Sequence, residues 1–418
     1  MGVYLSTPHT EVETQTGEHL GLSYGAGEMQ GWRKTMEDAH ICDPEAGIFA
    51  VFDGHGGKAV AKFAKIRFVK EFTSLPAYHE GNYGLALRKA FHRIDELLED
   101  PKHDALLKRF QSIPNPSERT AEHGQLDDDD YEVSEGAVQD EQAMDLDSDN
   151  DTTGEGKAKK KLTTAQAVQF FHQLLLSERR NRGDGSAPSS SAVKALPSPS
   201  PSSSSSSFVA STGTHSPASI YTDSGPVCNL SDHRVVSGCT AVVAFRKGNQ
   251  LYVANAGDSR CCLCRADGTA LPLSEDHKPM AEGERSRIEA AGGFVNQVGR
   301  VNGNLNLSRS LGDLKYKQVK QGRDGQPVGR EGQMITAEPD LTVTTLQPGD
   351  QFFVMACDGV WDIMSCQEIC DFVRERLARG LDTVQIIKEI FAHCIAPDVK
   401  MTQGLGGDNM SAVLVLLK

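Results

Sequence analysis

Two short apolar runs constrain this chain more than any bulk property does. Ile48–Phe52 (IFAVF) and Phe352–Ala356 (FFVMA) are uninterrupted by charge or hydroxyl, the pattern of strands buried on both faces. The first runs into Asp53-Gly54-His55-Gly56-Gly57, and the second reaches Asp358-Gly359 one residue later. LYVANA likewise meets Gly257-Asp258, and Asp408 opens the apolar NMSAVLVLL. Aspartate is disfavoured in strands and costly to bury unpaired. One such residue is an ordinary turn former; several at the mouths of core strands call for a compensating cation.

All-oxygen ligation by Asp53, Asp358 and Asp408 points to Mg2+ or Mn2+ rather than zinc, and Gly54 lets a backbone carbonyl approach the ion. Two such cations can bridge a water, lower its pKa and clamp an in-line displacement at phosphorus. Two tasks are then left: holding phosphoryl oxygens and protonating the leaving oxygen. GWRKTMEDAH (Gly31–His40) offers Arg33, whose planar fork suits phosphate, with Glu37 and Asp38 adding carboxylates near the metal. His55 titrates in the range for general acid work. In isolation the Arg33 string reads as a solvated turn and His55 as a structural histidine; their neighbours give them weight.

Charge separates the chain into regions. Residues 118–155 carry fifteen acidic side chains against one basic one, which equals the whole net charge of −14 and leaves 42 of each sign elsewhere. This acidic stretch and the Ser/Pro-rich SAPSSSAVKALPSPSPSSSSSS have too few apolar residues to offset their ordering entropy. Residues 109–228 therefore read as a largely disordered insert between 1–108 and 229–418. Inside it, residues 163–180 show a capping box and an apolar stripe, a helix that docks on the protein itself or on a partner.

The flanks are regular. Lys58–Phe72 and Asn82–Leu98 read as helices, and TAVVAF, QLYVANA and RCCLCR as antiparallel hairpins turning at Gly248-Asn249, Gly257-Asp258 and Asp267-Gly268. Ser365 with Glu368 opens a further helix that carries Ile369, Phe372, Val373 and Leu377 inward, and DTVQIIKEIFAHCIA is another. Mixed sheets covered by helices make the class α+β with a layered core. The ten cysteines are scattered as reduced, mostly buried thiols. Neither the Cys261/Cys264 nor the Cys366/Cys370 spacing has a second pair nearby in sequence to complete a zinc site. No apolar run reaches the ~18–20 residues of a spanning helix, and no secretory signal opens the chain, so an intracellular protein is expected.

GWRKTMEDAH, FAVFDGHGG, SGCTAVVA, VANAGDSR, DHKP, RIEAAGGFV, RVNGNLNLSRSLGD, CDGVWDIM and GGDNMSAVLV stand in the order found in metal-dependent serine/threonine protein phosphatases of type 2C. The resemblance covers nearly all of 20–108 and 229–418. MGVYLS and the acidic insert are also similar to the gamma subtype of that family.

The resemblance implies a four-layer αββα sandwich with two central antiparallel sheets and a metal pair, Mg2+ or Mn2+, in a cleft at one end. Asp53 would bridge both ions, the Gly54 carbonyl would bind one, and Asp358 and Asp408 the other. Glu37 and Asp38 would act at or just outside the coordination shell, Arg33 would hold phosphate, and His55 would protonate the leaving oxygen. Asp258 and Asp362 match positions linked to a weaker third metal, and Asp313 is expected to be structural or supporting.

The expected activity is hydrolysis of phosphoserine and phosphothreonine in protein substrates, through a water or hydroxide bridging two cations, by a monomer. A non-catalytic phosphate-binding scaffold acting through an insert partner is the alternative. A two-metal nuclease fits poorly, because a charge-balanced core and acidic insert do not suit nucleic acid. KAKKK (Lys157–Lys161) is compatible with nuclear import and with a solvated basic run. MGVYLS fits myristoylation at Gly2. A single acyl chain, with no Lys or Arg in residues 1–32, gives transient membrane contact at most. The expected placement is nucleus, cytoplasm or both.

Overall fold

The computed structural model describes residues 4–19, 21–119 and 230–417. Ile48–Phe52 is a strand with all five side chains buried, because two layers share it. With the strand period of two, Phe49 and Val51 enter a core with Tyr24, Val242, Val253, Phe353, Met355 and Val413. Ile48, Ala50 and Phe52 face the other way, among Val60, Phe63, Phe68, Phe91 and Ile94. Phe49 and Phe353 meet edge to face, centroids 5.8 Å apart, between the sheets.

One sheet runs, in spatial order, β1 (Tyr4–His19), β2 (Leu22–Arg33), β14 (Met410–Leu417), β13 (Phe352–Ala356), β9 (Arg260–Cys264) and β10 (Ala270–Pro272), every pair antiparallel. The second runs β12 (Asp340–Thr345), β8 (Gln250–Ala256), β7 (Ala241–Lys247), β4 (Ile48–Phe52) and β3 (Ala39–Asp43), again antiparallel. A third, small sheet joins β11 (Leu311–Gly312), β6 (Gly238–Cys239) and β5 (Gly54–His55).

Helices α1 (Ala59–Ser74), α2 (Pro76–His79), α3 (Tyr83–Glu99) and α4 (Asp104–Ser112) put apolar side chains into the core on the β4 side. After α5 (Glu282–Ala290) and α6 (Asp358–Trp361), α7 (Cys366–Ala378) and α8 (Thr383–Cys394) pack on the six-stranded sheet. The result is the expected α+β sandwich of antiparallel sheets between helices. The capping box holds: the Glu368 N–H donates to Ser365 Oγ, and the Ser365 N–H donates to Glu368 Oε2 at 2.9 Å. Ile369 and Val373 are buried as their spacing predicts, whereas Phe372 and Leu377 are only half-buried.

Four expectations change. The hairpin across Gly257-Asp258 does not form, because Gly257, at φ 125°, carries the chain from β8 in one sheet to β9 in the other. The expected insert boundary at 109 falls inside α4, where Phe110 is buried in the core, and the described chain continues to Arg119. Asn115 belongs to the fold, its Oδ1 accepting from Lys58 Nζ at 2.6 Å and from the Met36 N–H at 3.1 Å. The long β1–β2 hairpin is new, since β1 is an edge strand with no buried face to give it alternation. Nine described cysteines are free and seven are buried, as expected, yet the two cysteine pairs lie against each other: Cys262 Sγ is 3.9 Å from Cys370 Sγ. The helix expected at 163–180 and the acylation candidate Gly2 lie outside the described residues.

Candidate metal centre

The ends of β4, β8 and β13 converge on one another. Asp53 follows β4, Asp258 sits where the chain crosses between sheets, and Asp358 opens α6 just past β13. One carboxylate oxygen from each lies within 4.8 Å of the other two. Asp38, in the turn before β3, is 1% exposed. Its Oδ2 accepts from Ser411 Oγ at 2.7 Å, while Oδ1 is buried with no hydrogen-bond partner; the Cys357 thiol beside the carboxylate is at most a weak donor.

These carboxylates repel one another. Burial, with the charges of Asp408 and Glu28, outweighs the Ser411 hydrogen bond and pushes the Asp38 carboxyl up to about 7. Burial first, then Asp38, Asp358, Asp408 and Asp258, push Asp53 well above the ordinary carboxylate range. Asp358 is raised in the same way by burial and by Asp258, Asp408 and Asp362. Asp362 is raised by burial and Asp258, against the pull of Lys278. Lys278 Nζ pairs with Asp258, and Arg33 Nη2 lies 2.5 Å from Asp408 Oδ2. An oxygen-only, partly buried set beside an orphaned carboxylate oxygen fits a divalent cation of the hard type.

Tight backbone passage builds the floor. A Cβ on Gly54 would stand 2.0 Å from the Glu37 carbonyl oxygen, and one on Gly359 would stand 2.0 Å from the Asn409 carbonyl oxygen. The Glu37 side chain is tied locally, accepting from Thr35 Oγ1 at 2.9 Å and from the Gly57 N–H at 3.2 Å. His55, half-buried, sets Nε2 2.7 Å from Asp313 Oδ2, which also accepts from Ser310 Oγ at 2.6 Å. Burial opposes the imidazolium, but the Asp313 charge and hydrogen bond prevail and raise the His55 pKa. Asp313 is correspondingly lowered despite its own burial. It thus orients the imidazole, the supporting position expected of it.

The sequence-predicted residues gather here with two differences in emphasis. Asp258, expected only for a weaker third ion, joins Asp53 and Asp358 in the three-oxygen group, while Asp408 is held on Arg33. Sequence reasoning missed Lys278 and Asn409. Asn409 Nδ2 donates to the Gln30 and Thr35 carbonyls at 2.8 and 2.9 Å, and its Oδ1 accepts from the Glu37 N–H at 3.1 Å. One amide therefore sets the turn that bears Arg33, Glu37 and Asp38. Its signal in the sequence is an asparagine beside Asp408 in GGDN; its burial and its reach to the Gln30–Glu37 turn come from the fold.

Fold and site together define a class of α+β two-sheet sandwiches with a carboxylate-lined centre where the strands end. The protein phosphatase 2C profile matches residues 22–110 and 207–402. Probable protein phosphatase 2C 11 of Oryza sativa subsp. japonica is 34% identical over 100% of this chain and 91% of its own. Probable protein phosphatase 2C 21 of Arabidopsis thaliana is 34% identical over 100% and 93%. The crystal structure of a serine-threonine phosphatase 2C from Toxoplasma gondii superposes with a TM-score of 0.53, covering 100% of this chain and 99% of that one; at 15% identity it is a likeness of fold. The chain belongs to the protein phosphatase 2C family.

Proposed function

We propose that this chain is a serine/threonine protein phosphatase that works with two divalent cations, Mg2+ or Mn2+. The observation that carries this is the convergence of Asp53, Asp258 and Asp358 within 4.8 Å beside a buried, unpartnered Asp38 oxygen. Asp53, Asp358 and the Gly54 carbonyl would hold the pair, with Asp38, Glu37 and Asp408 completing or supporting it and Asp258 and Asp362 serving a weaker third ion. When bound, the cations supply a nucleophilic water at neutral pH and offset charge on the phosphoryl oxygens.

The chain's own groups do the rest. Arg33, its guanidinium kept charged by Asp408 against the cost of burial, can turn its fork toward phosphoryl oxygens; its Nε is buried and unpartnered. His55, whose pKa Asp313 raises, would donate to the departing serine or threonine oxygen. The acidic composition of the insert and the MGVYLS opening support the gamma-type reading, in which the insert recruits a protein partner. Because α4 and Asn115 belong to the fold, a deletion that spares small-substrate turnover must begin after 119.

The test is phosphate release from a phosphothreonine peptide by the wild type and Asp53→Asn, each with Mn2+, Mg2+ or EDTA. Activity that needs the ion and vanishes in the variant is expected. A folded, metal-binding wild type inert on several phosphopeptides would instead favour the phosphate-binding scaffold.

A further inference from the structure

Two pairs of thiols, remote in sequence, meet on the face of β9 turned away from the inter-sheet core. Cys261 and Leu263 point into that core, so Cys262 and Cys264 share the opposite face, against Cys366 and Cys370, which lie one turn apart on α7. Cys262 Sγ is 3.9 Å from Cys370 Sγ and 4.0 Å from the Cys366 carbonyl oxygen, so it lies against the first turn of α7. Cys264, on the same face of β9, has its Sγ 3.7 Å from the Arg265 carbonyl oxygen.

The four are not equivalent. Cys262, Cys264 and Cys370 are fully buried, whereas Cys366 is half-buried and stands at the first position of α7, after its Ser365 cap. A helix N-terminus favours an anion. The Cys262 hydrogen bond, then the Arg260 guanidinium, bring the Cys366 thiol down to about 7. Arg260 is itself fixed, bonded to Asp276 at 2.5 Å and lying over the Trp361 ring. Cys42, the other half-buried thiol among the described residues, is pushed far up by burial.

The sulfurs do not enclose a common point. A zinc ion with Zn–S distances near 2.3 Å needs all its sulfurs about 3.8 Å apart. Among the described residues, the group whose donor atoms lie mutually within 4.8 Å is the aspartate triad, not any three of these thiols. A half-buried, activated thiol beside a buried partner is the arrangement of an oxidation relay.

We infer that Cys366 is a peroxide-reactive thiol and Cys262 its resolving partner, so that oxidation bridges β9 to the first turn of α7. The Cys366 thiolate sulfur attacks one peroxide oxygen, the O–O bond breaks, and the other oxygen leaves as hydroxide and is protonated to water. The sulfur, oxidised by two electrons, becomes a sulfenic acid. Cys262 sulfur then attacks it; the S–O bond breaks, and the departing hydroxide takes the Cys262 proton as water. One peroxide and two thiols give one disulfide and two waters. Asp258 lies two residues before β9 and Asp362 four before Cys366, so the bridge joins two segments that leave the acidic cluster.

The test treats the full chain with graded hydrogen peroxide, alkylates the remaining thiols and locates oxidised sulfurs by fragment-resolved mass spectrometry. A Cys262–Cys366 disulfide should form at peroxide doses that leave Cys42 alkylated, disappear in Cys366→Ser, and persist in Cys370→Ser. Wild-type mapping does not depend on any variant folding. Oxidation of Cys366 no faster than Cys42, or a bridge from Cys366 to Cys370 or Cys264 instead, would overturn the assignment. So would zinc bound by the purified chain and released on thiol alkylation, which would make the cluster a metal site.

Discussion

Two sets of desolvated carboxylates in this molecule behave in opposite ways. Glu284 of α5 accepts from Ser308 Oγ at 2.5 Å, Arg287 Nη1 at 2.8 Å and Arg309 Nη2 at 2.7 Å. Its burial would raise the carboxyl, but Arg309 and Arg287 hold it at about 2. Asp38 is buried and Asp53 and Asp358 are half-buried, yet they crowd one another and are pushed up. A buried negative charge is either answered from within the chain or left for something the chain binds. Breaking the first kind destabilises the fold; the second marks a site.

If that contrast is right, removing a charge should have opposite consequences at the two places. The largest effect expected is on catalysis. Asp53→Asn should lower phosphopeptide turnover by more than about a hundredfold, the upper end of what losing a mere supporting partner of a metal site costs, measured with saturating Mn2+. Next, His55→Gln should slow phosphopeptide hydrolysis by about 10²- to 10⁴-fold and leave an aryl phosphate, whose phenolate departs with little protonation, far less affected. Equal slowing on both substrates would remove His55 from the general-acid role.

In the balanced set, Glu284→Gln should cost about 3–5 kcal/mol of stability, because it strands buried arginine charge; urea unfolding without metal measures it. The sign of the pH dependence follows. The folded Glu284 carboxyl sits near 2, below its ordinary 4.5, so its contribution is complete above about 4.5 and is lost as pH falls toward 2. Acid unfolding of the wild type should therefore show a loss over that window that Glu284→Gln lacks. Smallest, Asn409→Ala should cost about 1–3 kcal/mol through unsatisfied backbone groups, with a loss of turnover that follows from a loosened Arg33–Asp38 turn.

The part of this account legible in the sequence is local. IFAVF and FFVMA announced their burial, and the aspartates beyond them announced a shared problem of charge, because both signals sit within a few adjacent residues. The grouping itself was not legible. Asp258 joins Asp53 and Asp358 only because Gly257 moves the chain between sheets, where the Gly-Asp pair read as a hairpin turn. Asp408 carries the same ligand signal in sequence as Asp358, and only the fold adds Arg33 across from it. The polar β1 gave no period, since an edge strand has little to hide. The thiol pairs, 104 and 108 residues apart at their closest approaches, belong to different elements, and spacing along the chain carries no trace of their meeting.

The measurement that tests the central contrast most directly is thermal unfolding of the wild type and Asp53→Asn, each in EDTA and in Mn2+. Without metal, removing a repelled charge should leave the variant more stable than the wild type; with Mn2+, the wild type should gain stability by ligand linkage and overtake it. A variant less stable in both conditions, with no Mn2+ shift in the wild type, would mean that the carboxylates are balanced by the chain after all and that the cluster is not a cation site.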